Sequence, residues 1–322
     1  MTPYQRILER WSAGGIVVLD GGIGSEIERL GFPRDRSTGE LWGTLAVYED
    51  PALVREVHRR YADAGADVLT AATWRADRLP AAEQTGLVDG PAGRWRQVLA
   101  QSVELVREGA AEAGQDGQDG AAAAFSLWLE PMGPREVQEM VDAIAAAAPD
   151  LILVETMETI PLDLEFSGYE SLLEIGLPLW VAYRWTAHGP SDTRRVGISP
   201  YGGSWQAADD SLFGRAAQRL EEIGVDALLV NCLPSEDVPG TIPYLRRFTN
   251  LPLGAYPNVG RYLDPGWQYD PSTSPAAYLE DARGWVAEGA TIVGGCCGTT
   301  PEHIAALAEA FGQSAGSPER AL

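Results

Sequence analysis

The sequence predicts an α/β protein of the (β/α)8 type, a TIM barrel built as a single domain over residues 1–322 with its core at about 12–312. Three observations predict it. Eight short, β-rich apolar runs recur along the chain. Longer helical patterns sit between most of them. The 322 residues leave room for one barrel of eight units. The runs are near-continuously apolar rather than alternating, which suits parallel strands covered on both faces. A doubly wound open sheet is the rival architecture. No GxGxxG fingerprint opens a first helix and no division into two halves is visible, so the barrel is preferred.

The strands are expected at 16–20 (IVVLD), 67–72 (DVLTAA), 122–128 (AAAFSLW), 151–155 (LILVE), 178–185 (PLWVAYRW), 226–232 (DALLVNC), 252–257 (PLGAYP) and 291–295 (TIVGG). Helices are expected at 51–64, 95–113, 134–147, 211–223, 275–288 and 301–311. Asp50 followed by Pro51 reads as an N-cap with proline in the first helical position. Two segments read as loops: the Gly/Asp repeat at 114–120 and the glycine- and proline-rich insertion at 188–211. The tail 313–322 is expected to fray.

Charge narrows the partners. Lys+Arg total 24 against 46 Asp+Glu, a net charge of -22, and the chain contains no lysine at all. A field of this sign repels phosphate backbones, so nucleic acid is not an expected partner, whereas small cations are tolerated. No apolar run is long enough to cross a membrane, and the first twenty residues lack the order of a signal peptide. A cytoplasmic protein with no membrane partner is therefore expected. The three cysteines, Cys232, Cys296 and Cys297, are too few and odd in number for a disulfide scaffold. They serve as buried filler, as a nucleophile or as metal ligands.

Their positions bear on that choice. In a barrel, the C-terminal ends of the strands converge on one face. The residues at those ends include Asp20-Gly21-Gly22, Thr70 to Trp74, Glu155-Thr156, Arg184-Trp185, Asn231-Cys232, Tyr256-Pro257-Asn258 and Gly295-Cys296-Cys297. All three cysteines fall there. Three sulfurs with an open fourth position match a catalytic zinc site rather than a closed structural one. Neighbouring side chains alternate on a strand, so Cys296-Cys297 must leave strand geometry, with Gly294, Gly295 and Gly298 supplying the freedom. Thr300-Pro301 then opens a helix whose N-terminus favours thiolate. On pattern alone, buried structural cysteines remain the alternative.

Taken together, GGCCGTTPEHI (294–304) and LLVNC (228–232) resemble the homocysteine S-methyltransferase family. LDGGIGSEIERLG (19–31), the segment 41–74, DLILVETM (150–157) and YPNVG (256–260) are similar to further segments of that family. The resemblance implies one catalytic Zn2+ held by Cys232, Cys296 and Cys297, with the thiol of homocysteine in the fourth position. It also implies that Asp20 and Glu155 take the acceptor's ammonium. Backbone amides of Gly21, Gly22 and Ile23, at the opening of the first helix, suit its carboxylate. Glu158, in ETIP, competes with Glu155 for that role; Glu155 is preferred because it directly ends the apolar strand. Asn231 and Asn258 either orient the metal-binding loops or serve as turn residues. None of the three histidines, His58, His188 and His303, is needed as a general base, because a bound thiolate is already the nucleophile.

One barrel is expected to use up these residues, with no folate- or cobalamin-binding domain expected among them. A small sulfonium or quaternary-ammonium methyl donor is therefore expected, the product being methionine. Such cations rest on aromatic faces. Trp42, Trp74 and Trp128 are the donor-side candidates, with Trp185, Trp205 and Tyr256 also at strand ends or following loops. Two segments depart from the family pattern. FSLWLEPMGP (125–134) replaces a longer loop after the third strand, and Trp74-Arg75-Ala76 stands where an aromatic-Gln-Ala stretch is usual. The same chemistry would serve another thiol, a selenol, or a separate methyl-carrier protein. A silent binding barrel fits poorly with three intact cysteines.

Overall fold

A computed structural model describes residues 1–32, 41, 43–88, 91–114, 120–130, 132–187, 189–190, 211–263, 266–268 and 273–312. Eight strands form one parallel sheet: β1 (Val17–Val18), β2 (Val68–Thr70), β3 (Ala122–Leu127), β4 (Leu151–Met157), β5 (Leu179–Tyr183), β6 (Ala227–Pro234), β7 (Leu253–Asn258) and β8 (Ile292–Val293). Their order is β1-β8-β7-β6-β5-β4-β3-β2, and a parallel bridge from Leu19 to Val68 joins the two ends. The sheet therefore closes, as the eight apolar runs predicted. Each run carries a strand, because burial on both faces leaves an unbroken apolar signature.

The pleat divides the apolar side chains into two layers. Val17, Val68, Ala122, Ala124, Leu151, Leu153, Trp180, Ala182, Ala227, Leu229 and Ile292 fill the barrel interior. Their strand neighbours Val18, Leu69, Phe125, Ile152, Val181, Leu228 and Val293 face the helices outside. The interior is tight. A Cβ on Gly254 would lie 2.6 Å from the Ile292 Cβ, so only glycine fits that position.

The six expected helices are present at Pro51–Asp63, Arg94–Glu112, Pro134–Ala147, Leu212–Ile223, Pro275–Ala287 and Pro301–Phe311. Asp50 caps the first of them, its carboxylate accepting from the Leu53 amide at 3.1 Å. The helix expected to open at Gly21–Ile23 is Ile23–Arg29, and among the described residues five further short helices have no counterpart in the sequence pattern: Pro3–Ser12, Thr44–Glu49, Leu79–Thr85, Ser167–Leu173 and Thr241–Arg246. The helix Pro3–Ser12 reaches into the barrel from below, adding Tyr4 and Ile7 to the interior layer. There the Tyr4 hydroxyl accepts from the Trp180 indole at 3.2 Å. No described helix is long and apolar enough to cross a membrane. The loop 115–119, most of the insertion 188–211, the tail from 313, and Trp42, His188 and Trp205 lie outside the described residues.

His58 is a core residue of the helix layer. It is 0% exposed, and neither ring nitrogen has a hydrogen-bond partner. It packs where the helix Arg94–Glu112 crosses, at Gly109, whose missing Cβ would lie 2.8 Å from the His58 Cβ. Burial lowers its pKa to about 3. The unfolded imidazole titrates near 6.5. Between those values the unfolded chain binds the extra proton, so stability falls as pH falls below about 6.5, by at most about 1.4 kcal/mol per pH unit. His58→Leu is expected to flatten this limb. Urea midpoints of the two proteins at about pH 6 and about pH 4 measure it, and parallel declines would refute the assignment.

Candidate functional site

One pleat above the apolar interior, the inward positions turn polar. Ser126 follows Ala124 on β3, Glu155 follows Leu153 on β4, Arg184 follows Ala182 past β5, and Asn231 follows Leu229 on β6. With Tyr256 of β7 they form a ring at the C-terminal mouth, where barrel loops carry chemistry. Two strands break register at this level. The pairing shifts between Val154 and Met157 and again between Asn231 and Pro234. At these bulges Thr156 and Cys232 have φ of +60° and +53°, a region that non-glycine residues avoid. In regular pleating Cys232 would face the helices. The left-handed step instead turns its thiol toward the mouth, beside Asn231.

The paired cysteines leave strand geometry as their sequence required. β8 ends at Val293, and Gly298 takes φ +83° as the loop turns into the helix Pro301–Phe311. The loop is bonded to its neighbours along its length. The Cys296 amide donates to the Pro257 carbonyl at 2.9 Å, and the Val259 amide donates to the Cys297 carbonyl at 2.9 Å. The Tyr278 hydroxyl donates to the Gly294 carbonyl at 2.7 Å. The Thr299 hydroxyl donates to the Cys296 carbonyl at 2.6 Å and accepts from the Gly22 amide at 3.1 Å. Gly22 must be glycine here, because a Cβ would lie 2.6 Å from the Cys296 carbonyl oxygen.

The result is a sulfur cluster. The Sγ atoms of Cys232, Cys296 and Cys297 all lie within 4.8 Å of one another, those of Cys296 and Cys297 at 3.9 Å, and all three thiols are free. Sulfurs bound at about 2.3 Å around a tetrahedral cation stand about 3.8 Å apart, so the donor set fits such an ion. Asn258 clamps both halves of the cluster. Its Oδ1 accepts from the Cys297 amide at 3.1 Å, and its Nδ2 faces the Cys232 sulfur at 3.9 Å. Hydrogen bonds from Cys296 and Cys297, then the Arg184 guanidinium, pull the Cys232 thiol well below its ordinary pKa. The same crowding pushes Cys296 and Cys297 well up. The cluster thus gives up one proton readily and holds the others, a pattern that a divalent cation reverses.

Two carboxyl groups flank it. Glu155 accepts from the Ser126 hydroxyl, from the Tyr256 hydroxyl at 3.0 Å and from Asn231 Nδ2 at 3.3 Å. Burial pushes it up to about 7. Asn231 also accepts from the Thr156 amide at 3.1 Å, fixing the β4 bulge. Asp20 is buried against Thr70, which donates to it from its amide at 2.6 Å and from its hydroxyl at 3.0 Å. Burial raises Asp20 well above the usual carboxylate range. Gly21 and Gly22 follow directly, and Ile23 opens the helix Ile23–Arg29. Glu158 is bonded to Arg184 Nη1 at 2.9 Å.

Two of the three donor-side candidates, Trp74 and Trp128, lie among the described residues. Trp74 and Trp128 do come together, with ring centroids 5.9 Å apart at 29°. The cation on them is this chain's own: the Arg75 guanidinium lies 5.4 Å from the Trp74 centroid and 5.2 Å from that of Trp128. Arg75 is also buried against Asp77, its Nε 3.1 Å from the carboxylate. His303 is a helix cap. Its Nδ1 accepts from the Thr300 amide at 3.2 Å, which leaves Nε2–H to donate to the Thr273 carbonyl at 3.0 Å.

Sequence reasoning passed over Ser126, Thr299 and Arg184 as site residues. The first and last were reachable by parity, two residues beyond inward Ala124 and Ala182. Thr299 carried no signal, since its role depends on contact with Gly22.

Comparison with known proteins agrees with this geometry. The family model described as homocysteine S-methyltransferase matches residues 17–311. Homocysteine S-methyltransferase 3 of Zea mays is 28% identical, the match covering 96% of this chain and 94% of that protein. Homocysteine S-methyltransferase YbgG of Bacillus subtilis (strain 168) is likewise 28% identical, over 96% of this chain and 97% of its own length. Among solved structures, the metallated form of the homocysteine methyltransferase MmuM from Escherichia coli superposes with a TM-score of 0.71 at 25% identity, covering 96% of this chain and 100% of that one.

Proposed function

The chain belongs to the homocysteine S-methyltransferase family, and from that premise we propose that it is a zinc-dependent enzyme carrying a methyl group from a small sulfonium or quaternary-ammonium donor to homocysteine, giving methionine. The sulfur cluster at the barrel mouth carries this reading. Cys232, Cys296 and Cys297 hold the zinc, and Asn258 keeps the two cysteine segments in register. When bound, zinc keeps the acceptor sulfur as a thiolate at neutral pH while leaving it nucleophilic.

The protein's own groups position the acceptor. Glu155 and Asp20 take the ammonium, and an arriving cation offsets the burial that otherwise favours their protonated forms. Ser126, Tyr256 and Asn231 hold the Glu155 carboxylate in place. Backbone amides at Gly21 and Ile23 suit the carboxylate, whereas the Gly22 amide is taken by Thr299. In the transfer, the acceptor sulfur forms a C–S bond to the methyl carbon as the donor's own C–S or C–N bond breaks. The donor leaves neutral with that electron pair, and the thiol proton passes to solvent. The cationic donor rests on this leaving-group chemistry, and Arg75 already lies over one face of each of Trp74 and Trp128.

Metal analysis of the purified protein is expected to give about one zinc per chain. Incubation with homocysteine and a panel of sulfonium and quaternary-ammonium donors is expected to yield methionine from one class. An active protein free of zinc overturns the metal reading, and no methionine from any donor overturns the homocysteine reading.

A further inference from the structure

We propose that Arg184 is the receptor for a substrate carboxylate at the barrel mouth, acting beside Glu155 so that the site recognises a zwitterionic α-amino acid rather than a thiol alone. The inference deepens the methyl-transfer reading above and rests on it.

Arg184 stands at the inward parity of β5, two residues after Ala182, and its amide bonds to the Met157 carbonyl at 2.9 Å. Tyr183 before it pairs with Met157 of β4 and Val230 of β6. Its side chain therefore rises between the strand that carries Glu155 and the strand that carries Asn231-Cys232. It is 12% exposed and touches one carboxylate, Glu158, through Nη1 at 2.9 Å.

The Nε–H is buried with no partner. A buried guanidinium donor left unpaired is costly, and in native proteins such a group calls for an explanation. Nε and Nη2 form the edge of the guanidinium that grips a carboxylate with two parallel bonds. Nη1, engaged by Glu158, lies outside that edge. The backbone alternative is partly closed, since the Gly22 amide already bonds to Thr299 at 3.1 Å.

The charges are also arranged for a zwitterion. Glu155 and Arg184 rise from adjacent strands, Glu155 level with Ala182 and Arg184 one inward position nearer the mouth. An α-amino acid presents its ammonium and carboxylate on one carbon, so it needs opposite charges on neighbouring elements of one site. The sulfur cluster lies beside both, where the side-chain sulfur of such a ligand would reach. A methyl donor can also carry a carboxylate, so the source of the anion is settled by the substrates tested.

The test pairs variants with decarboxylated substrates. Homocysteine and 3-aminopropane-1-thiol, which differ by the carboxylate, are compared by calorimetric binding to metal-loaded protein and by turnover. The wild type is expected to favour homocysteine by about 30-fold or more. Arg184→Met is expected to raise KM for homocysteine by about that factor while leaving 3-aminopropane-1-thiol within about twofold, with metal content unchanged. Arg184→Lys restores part of the preference. A parallel pair of donors, with and without a carboxylate, locates the anion: loss of the acceptor preference assigns Arg184 to the acceptor, and loss of the donor preference assigns it to the donor. Should Arg184→Met misfold because Glu158 is left unpaired, the double variant Arg184→Met/Glu158→Gln carries the same comparison.

Equal loss for both members of each pair, or loss of metal, would make Arg184 a counter-charge to the sulfurs and overturn the proposal. Wild-type protein that binds homocysteine without turning over overturns the donor reading alone. Wild-type protein that binds neither thiol overturns both.

Discussion

Replacing Cys297 with serine is expected to lower methyl transfer by at least about 10³-fold and to strip the protein of the proposed zinc, several kcal/mol of activation being lost with the metal. A serine hydroxyl does not ionise near neutral pH, so two sulfurs and a neutral oxygen replace three thiolates. The fold is expected to persist. The Cys297 amide still bonds to Asn258 Oδ1 at 3.1 Å, and its carbonyl still accepts from Val259 at 2.9 Å. Metal analysis, turnover and the thermal transition separate these effects. A folded variant that kept stoichiometric zinc and a tenth of the wild-type rate would remove Cys297 from the ligand set.

Glu155→Gln comes next in size, lowering kcat/KM for homocysteine by about 10²-fold, mostly through KM, with zinc content unchanged. The loss is a charge-assisted contact to the ammonium, worth about 1.5–3 kcal/mol. The amide also disturbs its own support, because its nitrogen cannot accept from Ser126, Tyr256 and Asn231 as the carboxylate does. A pH signature accompanies the change. Burial holds Glu155 up to about 7 in the free protein, so its anionic fraction shrinks as pH falls through that value. Wild-type affinity for the ammonium weakens on that side, by at most about tenfold per unit, and the variant lacks this component. Calorimetric titrations of both proteins across neutral pH measure the difference. A KM within about threefold of wild type would move the ammonium site elsewhere, Asp20 being the other carboxyl at the mouth.

The strands were legible because each is buried on both faces, and that burial writes the same apolar run eight times. The short helices were not. Ser167–Leu173 and Thr241–Arg246 have seven and six residues, too few turns for a helical period to stand out. Cys296-Cys297 could be read as leaving the strand, since alternation forbids adjacent residues from pointing together. The left-handed turn at Cys232 could not be read, because nothing in LLVNC marks a non-glycine residue with φ +53°. Trp74 and Trp128 were identified as aromatics near the mouth. Only the folded chain shows Arg75, next to the first and distant from the second, resting on both. Arg184 was visible at a strand end, yet its importance depends on parity and on an unpartnered Nε–H.

The helix Pro3–Ser12 and the packed layer around Trp180 stopper the barrel from below. Among the described residues the barrel is closed at that end, so the sulfur cluster is approached from the side where the strands end, and the floor beneath it is packed side chain rather than water.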